Sequence, residues 1–206
     1  MYIPPLYKNN NAAEVRDFIT QNSFGILINQ AAGQLSATHI PLELDINENG
    51  QDILTGHISK GNLQWKNFIN DAEVLAIFPG PHSYISSSWY DHENVPTWNY
   101  IAVHVYGKIK IIEGEKLIGA LTKLVHKYEA GSEKPVSVEN MSAGFFTKQI
   151  NGIVGFEIEI TDIQPAYKLS QNRDAVNHTN ITAALEKKAD YNSLAIAAEM
   201  KKHQRK

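Results

Sequence analysis

Eight histidines (39, 57, 82, 92, 104, 126, 178 and 203) are the side chains of this sequence best suited to move protons or hold a metal. They are scattered with no metal-ligand spacing, and HExxH, G-x-S-x-G, P-loop and G-x-G-x-x-G motifs are all absent. His39 and His57 stand out because each sits inside a strand pattern beside a small residue, as Thr38-His39 and Gly56-His57. Such a ring either meets a ligand or is satisfied by backbone carbonyls within the sheet. Gly56-His-Ile-Ser-Lys-Gly-Asn62 is more specific: it sets Ser59, Lys60 and backbone amides at the junction of a strand and a helix. A hydroxyl, an ammonium and free N–H groups make a phosphate cradle; the alternative is an ordinary cap with a solvated lysine. Tyr84-Ile-Ser-Ser-Ser-Trp-Tyr90 and Thr97-Trp-Asn-Tyr100 offer hydroxyl and amide groups beside flat apolar surface. A planar heteroaromatic ligand needs that combination, and so, in its own way, does an aromatic core or an interface between copies.

The elements that must position these groups can be read from periodicity. Asn11 with Glu14 three residues on forms an N-cap signal, and Val15, Phe18 and Ile19 share one face of a helix over 12–22. Residues 24–30 and 35–44 read as strands around the turn Ala31-Ala-Gly-Gln34, with an interruption expected at Pro41. A turn at 47–51 leads to a strand over 53–58, a short helix over 62–70 and an apolar strand over 73–78. Residues 79–98 read as an ordered aromatic loop. A long strand over 99–112 sets Ile101, Val103 and Val105 against Ala102, His104 and Tyr106. A helix over 115–128 and an alternating strand over 153–160 follow, and Ile181, Ala184, Leu185, Leu194, Ala195 and Ala198 suggest an apolar helical face in the tail. Six or more antiparallel-type strands with three or four peripheral helices describe an α+β protein built on a β-barrel.

The chain has 206 residues, 43% of them hydrophobic, and a formal charge of −3. That length favours one domain with a core that needs no disulfide or structural metal. With no cysteine, thiol nucleophiles, iron–sulfur ligation and Cys-based zinc sites are excluded. The charge is uneven. Residues 182–206 carry six Lys/Arg against three acids, about +3, and the rest carries 13 against 19, about −6. There is no secretory pattern at Met1–Lys8 and no apolar run of membrane-spanning length, so a cytoplasmic location is expected.

Met1-Tyr-Ile-Pro, Ala37-Thr-His-Ile-Pro-Leu42, Leu54-Thr-Gly-His-Ile58, Asn62-Leu-Gln-Trp65, Ile77-Phe-Pro-Gly-Pro-His-Ser-Tyr-Ile-Ser86, Ser88-Trp-Tyr90, Val95-Pro-Thr-Trp-Asn-Tyr100, Val103-His-Val-Tyr-Gly107 and Lys168-Leu-Ser-Gln-Asn-Arg173 occur in this order. Together they resemble the PaiB family of FMN-binding negative transcriptional regulators, from residue 1 to about 173. The resemblance implies an FMN-binding split β-barrel of antiparallel Greek-key type, related to the pyridoxamine 5′-phosphate oxidase fold. It also implies a homodimer with FMN at the subunit interface. By similarity Thr38, His39 and Ile40 lie beside the isoalloxazine, and His57, Ser59 and Lys60 near the ribityl phosphate. Tyr84, Ser86 and Asn99 are further contacts, and Arg173 lies in a segment similar to the C-terminal basic motif of the oxidase relatives. The division expected is a flavin domain over 1–175 and a helical extension over 176–206. Lys60 stands where the family commonly has arginine, Leu63 where proline is common, and Ser87 replaces the proline of ISPSWY. Lysine balances phosphate as a point charge without arginine's bidentate fork.

Two functions follow from the resemblance. One is a PaiB-type repressor with FMN as bound cofactor or sensed ligand, touching DNA, if at all, through the basic C-terminal helix. The other is an FMN-dependent oxidoreductase using NAD(P)H or a small molecule, with no direct DNA binding.

Overall fold

A computed structural model describes residues 1–69 and 71–204. The elements are α1 (Ala12–Gln21), β1 (Phe24–Ala31), β2 (Gln34–Pro41), β3 (Glu43–Ile46), β4 (Asp52–Ser59), β5 (Ala72–Ile85), β6 (Thr97–Ile112), α2 (Gly114–Glu129), α3 (Ala143–Asn151), β7 (Ile153–Lys168), α4 (Ala175–Lys188) and α5 (Tyr191–Lys202). The seven strands form one sheet in the order β2-β1-β5-β6-β7-β4-β3. The chain divides into two compact units. The first comprises Met1–Phe18, Phe78–His104 and the chain from Gln164 onward; the second comprises Ile19–Ile77 and Val105–Ile163.

In the second unit β1 and β2 form a tight hairpin whose register ends at Ala31↔Gln34. Its two turn residues, Ala32 and Gly33, both have positive φ (49° and 78°), the backbone twist that a two-residue hairpin requires. Pro41 ends β2, as expected from its missing N–H, and Glu43 begins β3. The β3–β4 hairpin then leaves its sequence neighbour β2 and joins β7 at the far end of the sheet order. β2 nevertheless lies against β4 outside its ladder, the curling expected of a barrel. Leu27, Leu42, Leu54, Phe156 and Ile158 are fully buried here, with Phe68 edge-on to Phe156 at 5.4 Å. A Cβ on Gly155 would come within 2.4 Å of Leu117 Cδ1, so this glycine lets α2 seat directly on β7.

In the first unit the later part of β5, the first half of β6 and the end of β7 carry Phe78, Ile85, Ile101, Val103 and Tyr167 inward, with Leu169 just after β7. Ile181, Leu185, Ile196, Ala197 and Met200 of α4 and α5 complete that core. α4 and α5 pack on each other. The turn between them puts Ala189 in the left-handed region (φ 57°), and Asp190 caps α5 through Ser193 N.

Three expectations change. The aromatic stretch 79–98 is not one loop, because β5 runs on to Ile85 and β6 begins at Thr97; alternation of His82 and Tyr84 with buried Ser83 and Ile85 carries the strand forward. The helix expected over 62–70 is a 3-10 segment, Leu63–Asn67, and Asn70 lies outside the described residues. In the tail Leu194 is 44% exposed, and α5 buries Ser193, Ile196, Ala197 and Met200 instead. The break at Ala189–Asp190 resets the helical phase between Leu185 and Leu194.

Candidate functional site

The ten site residues expected from the sequence fall into both units: Thr38, His39, Ile40, His57, Ser59 and Lys60 in the second, Tyr84, Ser86, Asn99 and Arg173 in the first. In the second unit β2 is the outer strand of the sheet, so one side of its backbone is left without ladder partners. Opposite β1 its register is Leu27↔Thr38, Ile26↔His39 and Gly25↔Ile40. Alternation therefore turns Thr38 and Ile40 to one face and His39 to the other. Ile40 is 9% exposed and offers a ligand little beyond its backbone. His39 is exposed and stacks on Phe24, ring centroids 6.4 Å apart and planes within 29°, forming a flat aromatic surface.

Thr38 anchors a polar cluster. Its hydroxyl donates to Gln64 Oε1 and accepts from Asn62 Nδ2 at 2.8 Å. Gln64, 5% exposed, donates onward to Asn29 Oδ1 at 3.0 Å and to the Leu27 carbonyl at 3.1 Å. Thr38 Oγ1 thus keeps acceptor capacity but no proton for a ligand. Asn62 Oδ1 also accepts from Gln64 N, capping the 3-10 segment. The expected cradle therefore lacks a free helix terminus. What remains is the exposed end of β4: Ser59, whose Oγ accepts from Gly61 N at 3.2 Å, and Lys60, whose ammonium has no ion pair among the described residues. Two carbonyl contacts hold that corner, Lys60 N to Gly152 O at 2.9 Å and Trp65 Nε1 to Lys60 O at 3.0 Å. An unpaired ammonium beside a hydroxyl on a fixed corner fits a phosphate monoester.

His57 pairs with Gly155 across the β4–β7 ladder and borders a narrow crevice with Leu117, Leu121 and Leu124 of α2. Burial holds its pKa below the usual imidazole value, so at neutral pH it offers one N–H and no charge.

In the first unit Tyr84 (42% exposed) meets Trp98 (52% exposed) edge-on at 5.8 Å, and His82 lies 6.0 Å from the same indole. This is a second exposed aromatic surface. Ser86 Oγ is committed to Ser88, accepting from its N–H and sharing a hydrogen bond with its hydroxyl at 2.8 Å. Asn99 is fully buried, its amide bonded to Ser170 Oγ at 3.0 and 3.1 Å and to Met200 Sδ. It secures the turn after β7 and has no free amide to offer. Arg173 lies over the Tyr90 ring, 4.9 Å from its centroid.

Two residues of the Thr38 polar cluster, Asn29 and Gln64, were not among those expected from the sequence. Asn29 could have been found as a polar residue at an inward position of an alternating apolar strand; Gln64 carries no such signal.

Comparison with known proteins bears on these groups together. Residues 1–162 match the family described as "Putative FMN-binding domain". Over 200 residues the chain is 43% identical to the protease synthase and sporulation protein PAI 2 of Bacillus subtilis (strain 168), covering 97% of this chain and 96% of that protein. Among solved structures, the FAD and heme binding protein from Mycobacterium smegmatis superposes with a TM-score of 0.60 at 13% identity, over 86% of this chain and 80% of that one. The flavocytochrome Anf3 from Azotobacter vinelandii gives 0.57 at 14% identity, over 78% and 69%. At that identity the two structures speak to the fold alone, and the fold is the α+β split barrel. The chain belongs to the PaiB family of FMN-binding split-barrel proteins, and its cofactor is FMN.

Proposed function

We propose that the chain is a negative transcriptional regulator of the PaiB type, working in the cytoplasm as a homodimer with FMN at the subunit interface. The observation that carries this reading is the end-to-end match to the sporulation protein, with 97% of one chain and 96% of the other aligned. In this reading Lys60 and Ser59 hold the flavin phosphate, and the backbone of Thr38–Ile40 meets the polar edge of the isoalloxazine. His39 supplies flat surface and His57 borders the site, and by the family resemblance Tyr84 and Ser86 are further contacts. When bound, FMN supplies a ring that takes up one or two electrons. The exposed surfaces of Phe24–His39 and Tyr84–Trp98 suit a second copy of the chain. Residues 1–175 form the flavin domain and 176–206 its extension.

DNA contact would fall on that extension, where three lysines already have partners: Lys188 with Asp190, Lys201 with Glu186 and Lys202 with Glu14. Arg205 and Lys206, two of its six basic residues, lie outside the described residues.

FMN titration of purified protein tests the flavin assignment. Lys60→Ala should weaken FMN at least tenfold while riboflavin, which lacks the phosphate, is unaffected. Ser59→Ala should act in the same direction more weakly. Unchanged FMN affinity in both variants would refute the phosphate assignment. A promoter-fragment shift at physiological salt supports the regulator, whereas flavin bleaching by NAD(P)H within minutes, without a shift, supports the oxidoreductase.

A further inference from the structure

Beyond the flavin corner, the first unit holds a pocket of about 140 Å³ beside the end of β7. Lys168 and Arg173 both line it, with Thr97, Asn99 and Ser170 among the remaining walls. No wall residue is acidic, and among the described residues neither cation is paired with a carboxylate. Several other lysines are tied to acids, as Lys110 to Glu159, Lys123 to Asp45 and Lys127 to Glu43. Two like charges facing one concavity cost free energy unless something of opposite sign joins them.

The pocket is also held in shape. Lys168 Nζ donates to Thr97 Oγ1 at 2.5 Å. Ser170, 4% exposed, has φ 61°, a conformation that persists in a non-glycine residue only where its surroundings fix it. Asn99 fixes it through the two hydrogen bonds described above, and Arg173 N closes the turn on Ser170 O at 3.0 Å. Burial, followed by the nearby Arg173 charge, pulls the Lys168 pKa below its ordinary value. The two cations therefore repel each other across this concavity.

We propose that this pocket is an oxyanion site for a small ligand carrying a phosphate or a carboxylate, distinct from the seat of the FMN phosphate at Lys60. Arg173 would present its planar fork to the oxyanion while its face rests on Tyr90, and Lys168 would add a point charge. The volume is that of a few water molecules, enough for the anionic head of a ligand whose remainder extends past exposed Val95. The proposal uses the preceding reading only in placing the FMN phosphate elsewhere.

Full-length protein, with and without FMN, should be titrated with inorganic phosphate and separately with acetate, following the backbone amides of Lys168–Arg173 by NMR. Saturable shifts with either anion are expected, and the stronger one tells a phosphate ligand from a carboxylate. Lys168→Gln and Arg173→Gln should each weaken that binding at least tenfold, and Lys168→Gln should change FMN affinity less than twofold. Lys168→Gln leaves the Tyr90 stack intact, so it remains informative if Arg173→Gln unfolds. Absence of saturable binding, or binding unchanged in Lys168→Gln, overturns the site. A tenfold loss of FMN affinity in Lys168→Gln, with riboflavin unaffected, also overturns it by making the pocket the FMN phosphate seat. Failure of the Lys60 assignment would show separately, as unchanged FMN affinity in Lys60→Ala while anion binding at Lys168 persists.

Discussion

Glu14 shows how a single side chain links the two ends of the chain. Its side chain is 14% exposed, and burial alone would raise its pKa. Hydrogen bonds from Lys202, Asn9 and His203 outweigh burial and hold it at about 2, against 4.5 for a free glutamate. Because the folded value is depressed, the resulting stability is fully present above about pH 4.5 and is lost as pH falls toward 2. Glu14→Gln should lower stability at pH 7 by about 1–3 kcal/mol. Urea titrations of the two proteins should converge as the pH approaches 2. His57 has the opposite charge type and the same direction of pH dependence. Its depressed pKa favours the neutral folded form, so its contribution is present above the ordinary imidazole pKa and fades as the solution is acidified through the folded value. The tight hairpin adds a third residue-scale expectation. Ala32 occupies a positive-φ position before Gly33, where asparagine is better tolerated, so Ala32→Asn should raise the urea midpoint by roughly 0.5 kcal/mol of stability.

At the scale of elements, the turn between α4 and α5 decides which face of the tail is buried. Ala189 sits at φ 57°, which costs an L-residue about 1 kcal/mol and glycine little. Ala189→Gly should therefore raise the thermal midpoint, and Ala189→Val should lower it. The contact of α2 with β7 depends on Gly155, where an added methyl would meet Leu117 Cδ1 at 2.4 Å and the Ile112 carbonyl at 3.1 Å. Gly155→Ala should cost about 1–3 kcal/mol by urea unfolding. It should also shift the amide signals of α2 and β4, including His57. Strand periodicity was the clearest local signal: Ile101, Val103 and Val105 are all buried, as their alternation requires. The helices were less legible. Leu121, Leu124 and Val125 of α2 are only partly buried, and Tyr128 is 52% exposed with its hydroxyl on Glu43 and Ser23. The face of α2 was visible in the sequence, whereas the depth of its packing was not.

For the molecule as a whole, the C-terminal helices are part of a core. Ile181, Leu185, Ile196 and Met200 are each at most 1% exposed. At roughly 2 kcal/mol for each buried side chain, they account for much of a typical domain's 5–15 kcal/mol. Cutting the chain near Arg173 should therefore unfold or aggregate the protein, as light scattering and circular dichroism would report. DNA binding by the tail is better tested by replacing Lys187 and Lys201 with glutamine, which leaves those buried side chains in place. FMN in hundredfold excess over its Kd should raise the stability of the wild type by about 2.7 kcal/mol. The same FMN concentration should give Lys60→Ala a smaller rise, because its Kd is larger.

Most strands, the first and second helices, the hairpin at Ala31–Gln34, the family and therefore the flavin were legible in the sequence, whereas α3 and the division of 35–44 into β2 and β3 were not. The legible features rest on local periodicity, turn chemistry and residues whose identities match a known pattern in order. Tertiary contacts alone commit the Thr38 proton to Gln64, seal Asn99 against Ser170 and leave Lys168 and Arg173 facing one pocket without an acid. The first two outcomes depend on contacts between residues 26 and 71 positions apart in the chain. Periodicity cannot report such contacts, because it shows which side of an element is buried and not what lies across from it.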